Sequence, residues 1–340
     1  MSAAADDAQG NREDSGEDRL IARYFRPLAT DPGAFDLRDD AATLMPPPGM
    51  EVVLQADALV GGVHFFPDDP ADLVARKALR VNLSDLAAKG ATPAGFLLTL
   101  ALPAETSEAW LQDFARGLGD DAAAFGCPLL GGDTVRTSGP VVISISAFGL
   151  VPQGRMVRRA GAQAGDVIVV TGTIGDSALG LLLRTDAAAA ARWKLDHVER
   201  GTLAERYLLP QPRLALAKAV LEHATAAMDV SDGLAGDLAK LCGVSGVDAE
   251  VDAAKVPFSA AAAKAIAAEP GLLQGALSGG DDYEIIATLP AAKLGALRSA
   301  GAATGVPVTE IGRIVAGRGG ARFFDHGQQL AFERTSFSHF

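Results

Sequence analysis

Six short stretches place carboxylates at the ends of apolar runs: Arg38-Asp39-Asp40, Gln55-Ala56-Asp57, Asn82-Leu83-Ser84-Asp85, Gly131-Gly132-Asp133-Thr134, Asp229-Val230-Ser231-Asp232-Gly233 and Ser278-Gly279-Gly280-Asp281-Asp282-Tyr283-Glu284. A carboxylate held against apolar strands is costly unless a cation compensates it. Hard oxygen donors suit Mg²⁺, which binds through one or two carboxylates together with substrate phosphates. The series therefore points to metal-dependent phosphate chemistry. No Ser-His-Asp or Cys-His arrangement is legible, and His64 has no second histidine at ligand spacing.

Each stretch also has a plainer explanation. Gly131-Gly132 lets backbone N–H groups approach a phosphate beside the Asp133 carboxylate, or forms an ordinary turn between strands. In Asp229-Val230-Ser231-Asp232-Gly233, helix capping explains one of the polar residues but not both acids, so metal or nucleotide binding is the better reading. Asn82 and Asp85 share a helix face; the rival is a solvated stripe that would also include Lys77 and Arg80. His64, in Gly61-Gly62-Val63-His64-Phe65, is a substrate contact or a structural histidine. Gly172-Thr173-Ile174-Gly175-Asp176 looks like a phosphate loop but matches neither the Walker nor the dinucleotide pattern. Ser84-Asp85 precedes Gly131-Gly132-Asp133 at nearly the spacing by which Ser231-Asp232 precedes Gly279-Gly280-Asp281, a hint of two pseudo-symmetric halves.

These residues need α/β scaffolding to position them. A chain of 340 residues more naturally forms two domains than one. Residues 1–16 are small, polar and acidic and read as a disordered tail. A first helix carries Leu20, Ile21, Tyr24 and Phe25, and a strand near Glu51–Ala56 leads to Asp57. A helix over Asp72–Lys89 stops at Gly90, and a strand (Gly95–Leu102) precedes a helix with Trp110, Phe114 and Leu118 at four-residue spacing. A long strand spans Pro140–Leu150, and the aperiodic stretch Val151–Gly165 marks a boundary near residue 152. Beyond it come a strand (Asp166–Thr171), a helix from Asp176, and a helix start bracketed by Pro210 and Pro212. The fold class is α/β (α+β), with domains over 17–152 and 153–340.

Composition narrows the partners. An apolar fraction of 49% and a charged fraction of 21% are those of a globular protein. The net charge of −12, without a basic run, disfavours nucleic acid. No segment reaches membrane-spanning length, and Cys127 and Cys242, far apart, fit a reducing cytoplasmic setting.

Taken together, Ala78-Leu79-Arg80-Val81-Asn82-Leu83-Ser84-Asp85-Leu86-Ala87-Ala88, Leu130-Gly131-Gly132-Asp133-Thr134, Asp229-Val230-Ser231-Asp232-Gly233-Leu234 and Leu277-Ser278-Gly279-Gly280-Asp281-Asp282-Tyr283-Glu284 resemble the thiamine-monophosphate kinase family, within the aminoimidazole ribonucleotide synthetase superfamily. The resemblance runs from Leu20-Ile21-Ala22-Arg23-Tyr24-Phe25 to Ser338-His339-Phe340. It implies an N-terminal ATP- and Mg-binding domain that dimerises through its sheet, an α+β C-terminal domain, and Mg²⁺-dependent transfer from ATP to thiamine monophosphate. By motif it implies Asp40, Asp57, Asp85, Asp133, Asp229 and Asp232 as Mg²⁺ carboxylates, with Asp133 and Asp232 catalytic. Gly132, Asp133, Arg159 and Ser231 are the implied ATP contacts, and His64, Asp281 and Arg334 the implied substrate contacts. The chain departs from the family at Arg38, where a glycine is usual, and at Gln55 and Ala56, where hydroxyl residues are usual. Asp281 replaces a glutamate, and Arg334 falls near an expected aromatic, for which Phe332 or Phe337 can substitute. The alternatives are another ATP-dependent synthetase of the superfamily or a non-catalytic nucleotide- or metal-binding protein. Within the superfamily, the absence of a cysteine before Cys127 and of one in the terminal Ser338-His339-Phe340 disfavours the cysteine-dependent members.

Overall fold

The computed structural model describes residues 16–337. Most of the expected disordered tail and the terminal Ser338-His339-Phe340 lie outside the described residues, whereas Gly16 already begins the short helix α1 (Gly16–Leu20). The helix expected around Tyr24 is not one regular element. It passes into a π-helical turn (Ile21–Phe25) and a 3₁₀ turn (Arg26–Leu28), because Pro27 removes a backbone donor.

A four-stranded sheet follows in the order β1 (Met50–Val60), β4 (Val142–Pro152), β2 (Thr92–Pro103), β3 (Leu129–Thr137). Neighbours in it are antiparallel except β2 and β3, which are parallel and joined across helix α3 (Glu108–Ala124), as a parallel connection requires. One face is covered by α2 (Ala71–Ala88) and α3; Val53, Leu59, Leu98, Ile143 and Ile145 point into that core. The opposite face carries Leu54, 71% exposed, and Val135, 45% exposed.

The second sheet has the order β11 (Gln328–Gln329), β10 (Ala321–Asp325), β7 (Val247–Asp252), β9 (Val308–Ala316), β5 (Val167–Thr171), β8 (Ile285–Leu289), β6 (Ala226–Asp229). Its helices are α4 (Asp176–Thr185), α5 (Ala189–Arg192), α6 (His197–Leu208), α7 (Ala217–His223), α8 (Leu234–Ser245), α9 (Ala260–Ala268), α10 (Leu272–Ser278) and α11 (Leu294–Thr304). No helix begins between Pro210 and Pro212; the first turn is a 3₁₀ turn at Leu214–Leu216, leading into α7.

α2 joins the two sheets. Leu79, Leu83 and Leu86 belong to the core of the first sheet, whereas Ala87 and Ala88 pack with Val220, Ile285 and Ala287 of the second. Lys77, Arg80 and Asn82 are buried, so the solvated-stripe alternative for this helix is wrong. A helix covered on nearly all sides needs its cations paired. Arg80 accordingly donates to Asp121 at 2.5 and 3.1 Å and to the Pro210 carbonyl at 3.0 Å.

Candidate active site between the two sheets

Asp57 projects from the core-facing side of β1, Asp85 from the last turn of α2, Asp229 from the end of β6, and Asp232 from the bend after it. Burial raises the Asp57 carboxyl above the ordinary carboxylate range, and the neighbouring charges of Asp85 and Asp232 add to the rise. Asp229 is pushed well above that range, first by burial and then by Asp85. Lys89, one turn beyond Asp85, donates to the Ala227 carbonyl at 2.9 Å. Burial lowers its pKa, while Asp85 and Asp229 oppose the shift. These four acids are thus drawn together by folding, and burial with neighbouring carboxylates disfavours the charged forms of Asp57 and Asp229.

Two neutral side chains hold the cluster. Asn82 accepts from the Asp57 backbone N–H at 3.1 Å and donates to the Ala78 carbonyl at 2.9 Å, pinning β1 to α2. Gln55 Nε2 donates to Asp57 at 2.8 Å and also to Asp85, while its Oε1 is buried without a partner. Among the described residues no three His, Cys, Asp or Glu side chains are grouped to hold a metal ion by themselves. The hard-oxygen donor set, raised carboxyls and orphaned amide oxygen nevertheless fit a magnesium ion completed by other oxygens.

The segment carrying Ser231 and Asp232 is set by α8. Asp237 Oδ2 accepts the backbone N–H groups of Ser231 (3.0 Å) and Asp232 (2.9 Å), and Lys240 bridges Asp237 and Asp232. Asp229 and Asp232 therefore do not share one side of a strand: Asp229 is buried at the strand end and Asp232 has turned toward Lys240. Lys240 and Asp237 were missed as site residues; their i,i+3 spacing in the helix after the motif was the available signal.

In the last acidic stretch, the three acids do separate jobs. Asp281, at φ +71°, donates its backbone N–H to the Ser231 carbonyl, and its carboxylate pairs with Lys77 at 2.8 Å and accepts from Tyr283. A Cβ at Gly280 would stand 2.5 Å from the Ser231 carbonyl oxygen, so only glycine allows the two loops to approach. Asp282 is buried against the start of α4 and accepts from the Gly175 N–H at 2.8 Å. The protein's own carboxylate thus takes the anion position at that helix start, and Gly172–Asp176 is not a phosphate loop. Glu284 is clamped by Arg206, Arg213 and Thr171.

Lys77 joins His64 to Asp281. The His64 Nδ1 accepts from the Val60 N–H at 3.0 Å, so neutral imidazole carries its proton on Nε2. Lys77 donates to the His64 carbonyl at 3.0 Å and lies 4.0 Å above the Tyr207 ring; Arg184 stacks on Phe66.

Asp40 and Asp133 stand elsewhere. In register, Asp133 pairs with Thr99 and Thr99 with Ser144, all on the face opposite Asp57. Asp40 and Asp133 line a cleft of ≈ 820 Å³ with Asp39, Leu54, Thr99 and Ser146. Gly131-Gly132-Asp133 is not a turn but the middle of β3. Gly132 is required there because a Cβ would fall 1.8 Å from the Leu98 carbonyl oxygen. Arg38 adopts φ −111°, open to any residue; the positive φ values fall on Phe35, Asp36 and Leu37, so the missing glycine has no backbone consequence. The expected pseudo-symmetry has no counterpart in setting: Ser84-Asp85 is helical and Ser231-Asp232 a bend, while Gly131-Gly132 is strand and Gly279-Gly280 loop. Arg159 and Arg334 are exposed. Phe332 packs edge-on against Phe323 in the core, whereas Phe337 donates its N–H to the Asp232 carbonyl and is half-exposed.

Two family models cover this architecture, the AIR synthase related protein N-terminal domain over residues 38–151 and its C-terminal domain over 163–325. They define the class, a two-domain AIR synthase-like protein. A thiamine-monophosphate kinase of Caulobacter vibrioides is 44% identical over 323 residues, 94% of this chain and 89% of that protein. The crystal structure of thiamine-monophosphate kinase from Stenotrophomonas maltophilia superposes with TM-score 0.78 at 39% identity, covering 92% and 96% of the two chains. A second structure, AaThiL complexed with AMPPCP and TMP, matches with TM-score 0.74 at 30% identity over 89% and 91%. The chain belongs to the thiamine-monophosphate kinase family. Among the described residues no helix is long and apolar enough to cross a membrane.

Proposed function

We propose that the chain transfers the γ-phosphate of ATP to thiamine monophosphate, giving thiamine diphosphate and ADP. The observation that carries this is the convergence of Asp57, Asp85, Asp229 and Asp232 between the two sheets of a member of this family. Support for the substrates comes from the relative solved with AMPPCP and TMP. The acceptor is a phosphate oxygen, anionic near neutral pH, so the reaction needs no strong base. The barrier is bringing two polyanions together and stabilising charge spread over the transferred group. Asp57, Asp85, Asp229 and Asp232 would hold Mg²⁺, which when bound offsets that charge. Asp40 and Asp133 are the further metal carboxylates; because Asp133 lies on the opposite sheet face, it and Asp232 come nearest the chemistry across the homodimer, one from each copy.

In this reading Gly132, Asp133, Arg159 and Ser231 meet ATP. His64, Asp281 and Arg334 meet thiamine monophosphate, and Phe337, tethered to Asp232, covers its ring. Transfer is direct and in line. The units are 17–152 and 153–340, and the protein works in the cytoplasm as a homodimer. Leu54 and Val135, exposed beside Asp133, are the apolar surface a second copy would cover.

The test is incubation with ATP, Mg²⁺ and thiamine monophosphate, with thiamine diphosphate and ADP quantified together. Equal yields, dependent on both the metal and the acceptor, are expected. ADP release that ignores the acceptor would mean an ATPase, and a phosphorylated protein trapped during turnover would refute direct transfer.

A further inference from the structure

Asp281 and Tyr283, in the loop between α10 and β8, both adopt positive φ, +71° and +51°. Aspartate tolerates this region through local hydrogen bonds, but a bulky tyrosine does not enter it without strain. Such strain persists only where surrounding contacts over-determine the backbone, and it gathers at functional sites. The Asp281 N–H donates to the Ser231 carbonyl and the Tyr283 N–H to the Val230 carbonyl, both at 2.8 Å. From the other side, the Ser84 hydroxyl of α2 donates to the Tyr283 carbonyl at 3.4 Å.

The strained conformation fixes the direction of one hydroxyl. The Tyr283 ring is buried with the core of the first sheet, while its phenol donates to Asp281 Oδ1 at 3.3 Å. Burial, and then the Asp281 charge, push the phenol well above its ordinary range, so it remains a donor. Lys77 Nζ, from α2, holds the other oxygen, Oδ2, at 2.8 Å. One donor alone leaves a carboxylate free to turn about its Cβ–Cγ bond, whereas donors on both oxygens set its plane. Each oxygen keeps a further acceptor position, and the side chain is 28% exposed, so the carboxylate can still receive a ligand.

We propose that Tyr283 is a positioning residue for the acceptor substrate: its phenol, together with Lys77, sets the plane of the Asp281 carboxylate that meets thiamine monophosphate. This rests on the reading of Asp281 as a substrate contact and deepens it. The two donors come from different domains, Lys77 from the first and Tyr283 from the second, so the carboxylate is oriented only when the domains are packed together.

Tyr283→Phe tests the role, because it removes the hydroxyl and keeps the buried ring. Asp281→Asn is its companion, since asparagine also tolerates positive φ. Steady-state kinetics are measured on wild type, both single variants and the double variant, varying ATP and thiamine monophosphate separately. Tyr283→Phe is expected to raise KM for thiamine monophosphate about tenfold while leaving kcat and KM for ATP within about twofold of wild type. In the Asp281→Asn background the same change should add no further rise. An unchanged KM for thiamine monophosphate in Tyr283→Phe, beside a raised one in Asp281→Asn, would overturn the positioning role and leave the substrate reading intact. Equal rises in both KM values, or a full Tyr283→Phe effect persisting in the double variant, would assign the phenol to packing alone. A KM unmoved by Asp281→Asn would overturn the substrate reading of Asp281 itself, and the inference with it.

Discussion

Asp237 is a demanding test of how the site is held, because it makes no contact expected of a ligand and yet sets the Ser231–Asp232 segment. Its side chain is fully buried; Oδ2 accepts two backbone N–H groups and Oδ1 accepts Lys240 at 2.9 Å. Asp237→Ala removes both acceptors. Two N–H groups lose their partner at about 1–3 kcal/mol each. Ser231 and Asp232 are only half-buried, so water relieves part of the loss and the lower end applies to each. With the small cavity added, a loss of about 2–4 kcal/mol is expected, a large share of the ~5–15 kcal/mol that holds a domain together. Asp237→Asn behaves differently. Its carbonyl oxygen can still accept both N–H groups, while its N–H₂ faces the Lys240 ammonium, so about 1–2 kcal/mol is lost. Urea unfolding of the three proteins without metal gives these values, and turnover with ATP and thiamine monophosphate gives the functional counterpart. The Ala variant should lose at least tenfold in kcat, the Asn variant less. Equal losses in the two variants, or an Ala variant within about 0.5 kcal/mol of wild type, would refute the view that the two backbone N–H bonds are what Asp237 contributes.

Asp229→Asn should stabilise the metal-free protein increasingly as pH rises. The folded pKa of Asp229 lies above its ordinary value, so its favourable contribution is complete below about pH 4 and is lost upward through the folded pKa. The difference from wild type in EDTA should grow by up to about 1.4 kcal/mol per pH unit, and a flat difference between pH 4 and 7 would contradict the assignment. Lys77→Met strips the partner from Asp281, whose carboxylate is 28% exposed. It should cost about 2 kcal/mol by denaturant unfolding and raise KM for thiamine monophosphate more than it lowers kcat. Leu54→Glu, placed on the open sheet face, should shift the mass measured by light scattering from dimer to monomer without altering the monomer's far-ultraviolet circular dichroism. Gly132→Ala forces β3 away from the Leu98 carbonyl and should lower the melting temperature by at least ten degrees.

Much of the scaffold was legible because it depends on local pattern. The apolar period over α2 and α3 and the alternation along β4 place those elements within a few residues of where they fold. The errors have a common cause. Gly131-Gly132 has the composition of a turn, but its glycines serve close contact with β2, which depends on a strand more than thirty residues away. Lys77 and Arg80 have the charge of a solvated face, but a second domain covers it and Asp281 and Asp121 neutralise them. Gly172–Asp176 has the glycines of an anion site, but Asp282, over a hundred residues later, already fills it.

Residue type and order were enough to name the chemistry, since aspartates in that succession of motifs suit few tasks besides holding divalent metal against phosphate. They could not group those aspartates. Strand parity and the packing of α2 bring Asp57, Asp85, Asp229 and Asp232 together and send Asp40 and Asp133 to the other face of the sheet. Nor could sequence assign partners to the groups that hold the cluster, the donors Gln55, Lys89 and Lys240 and the acceptor Asp237. The reason is physical: charge compensation acts through a few ångströms of space, and which groups share those ångströms is settled only when distant segments pack.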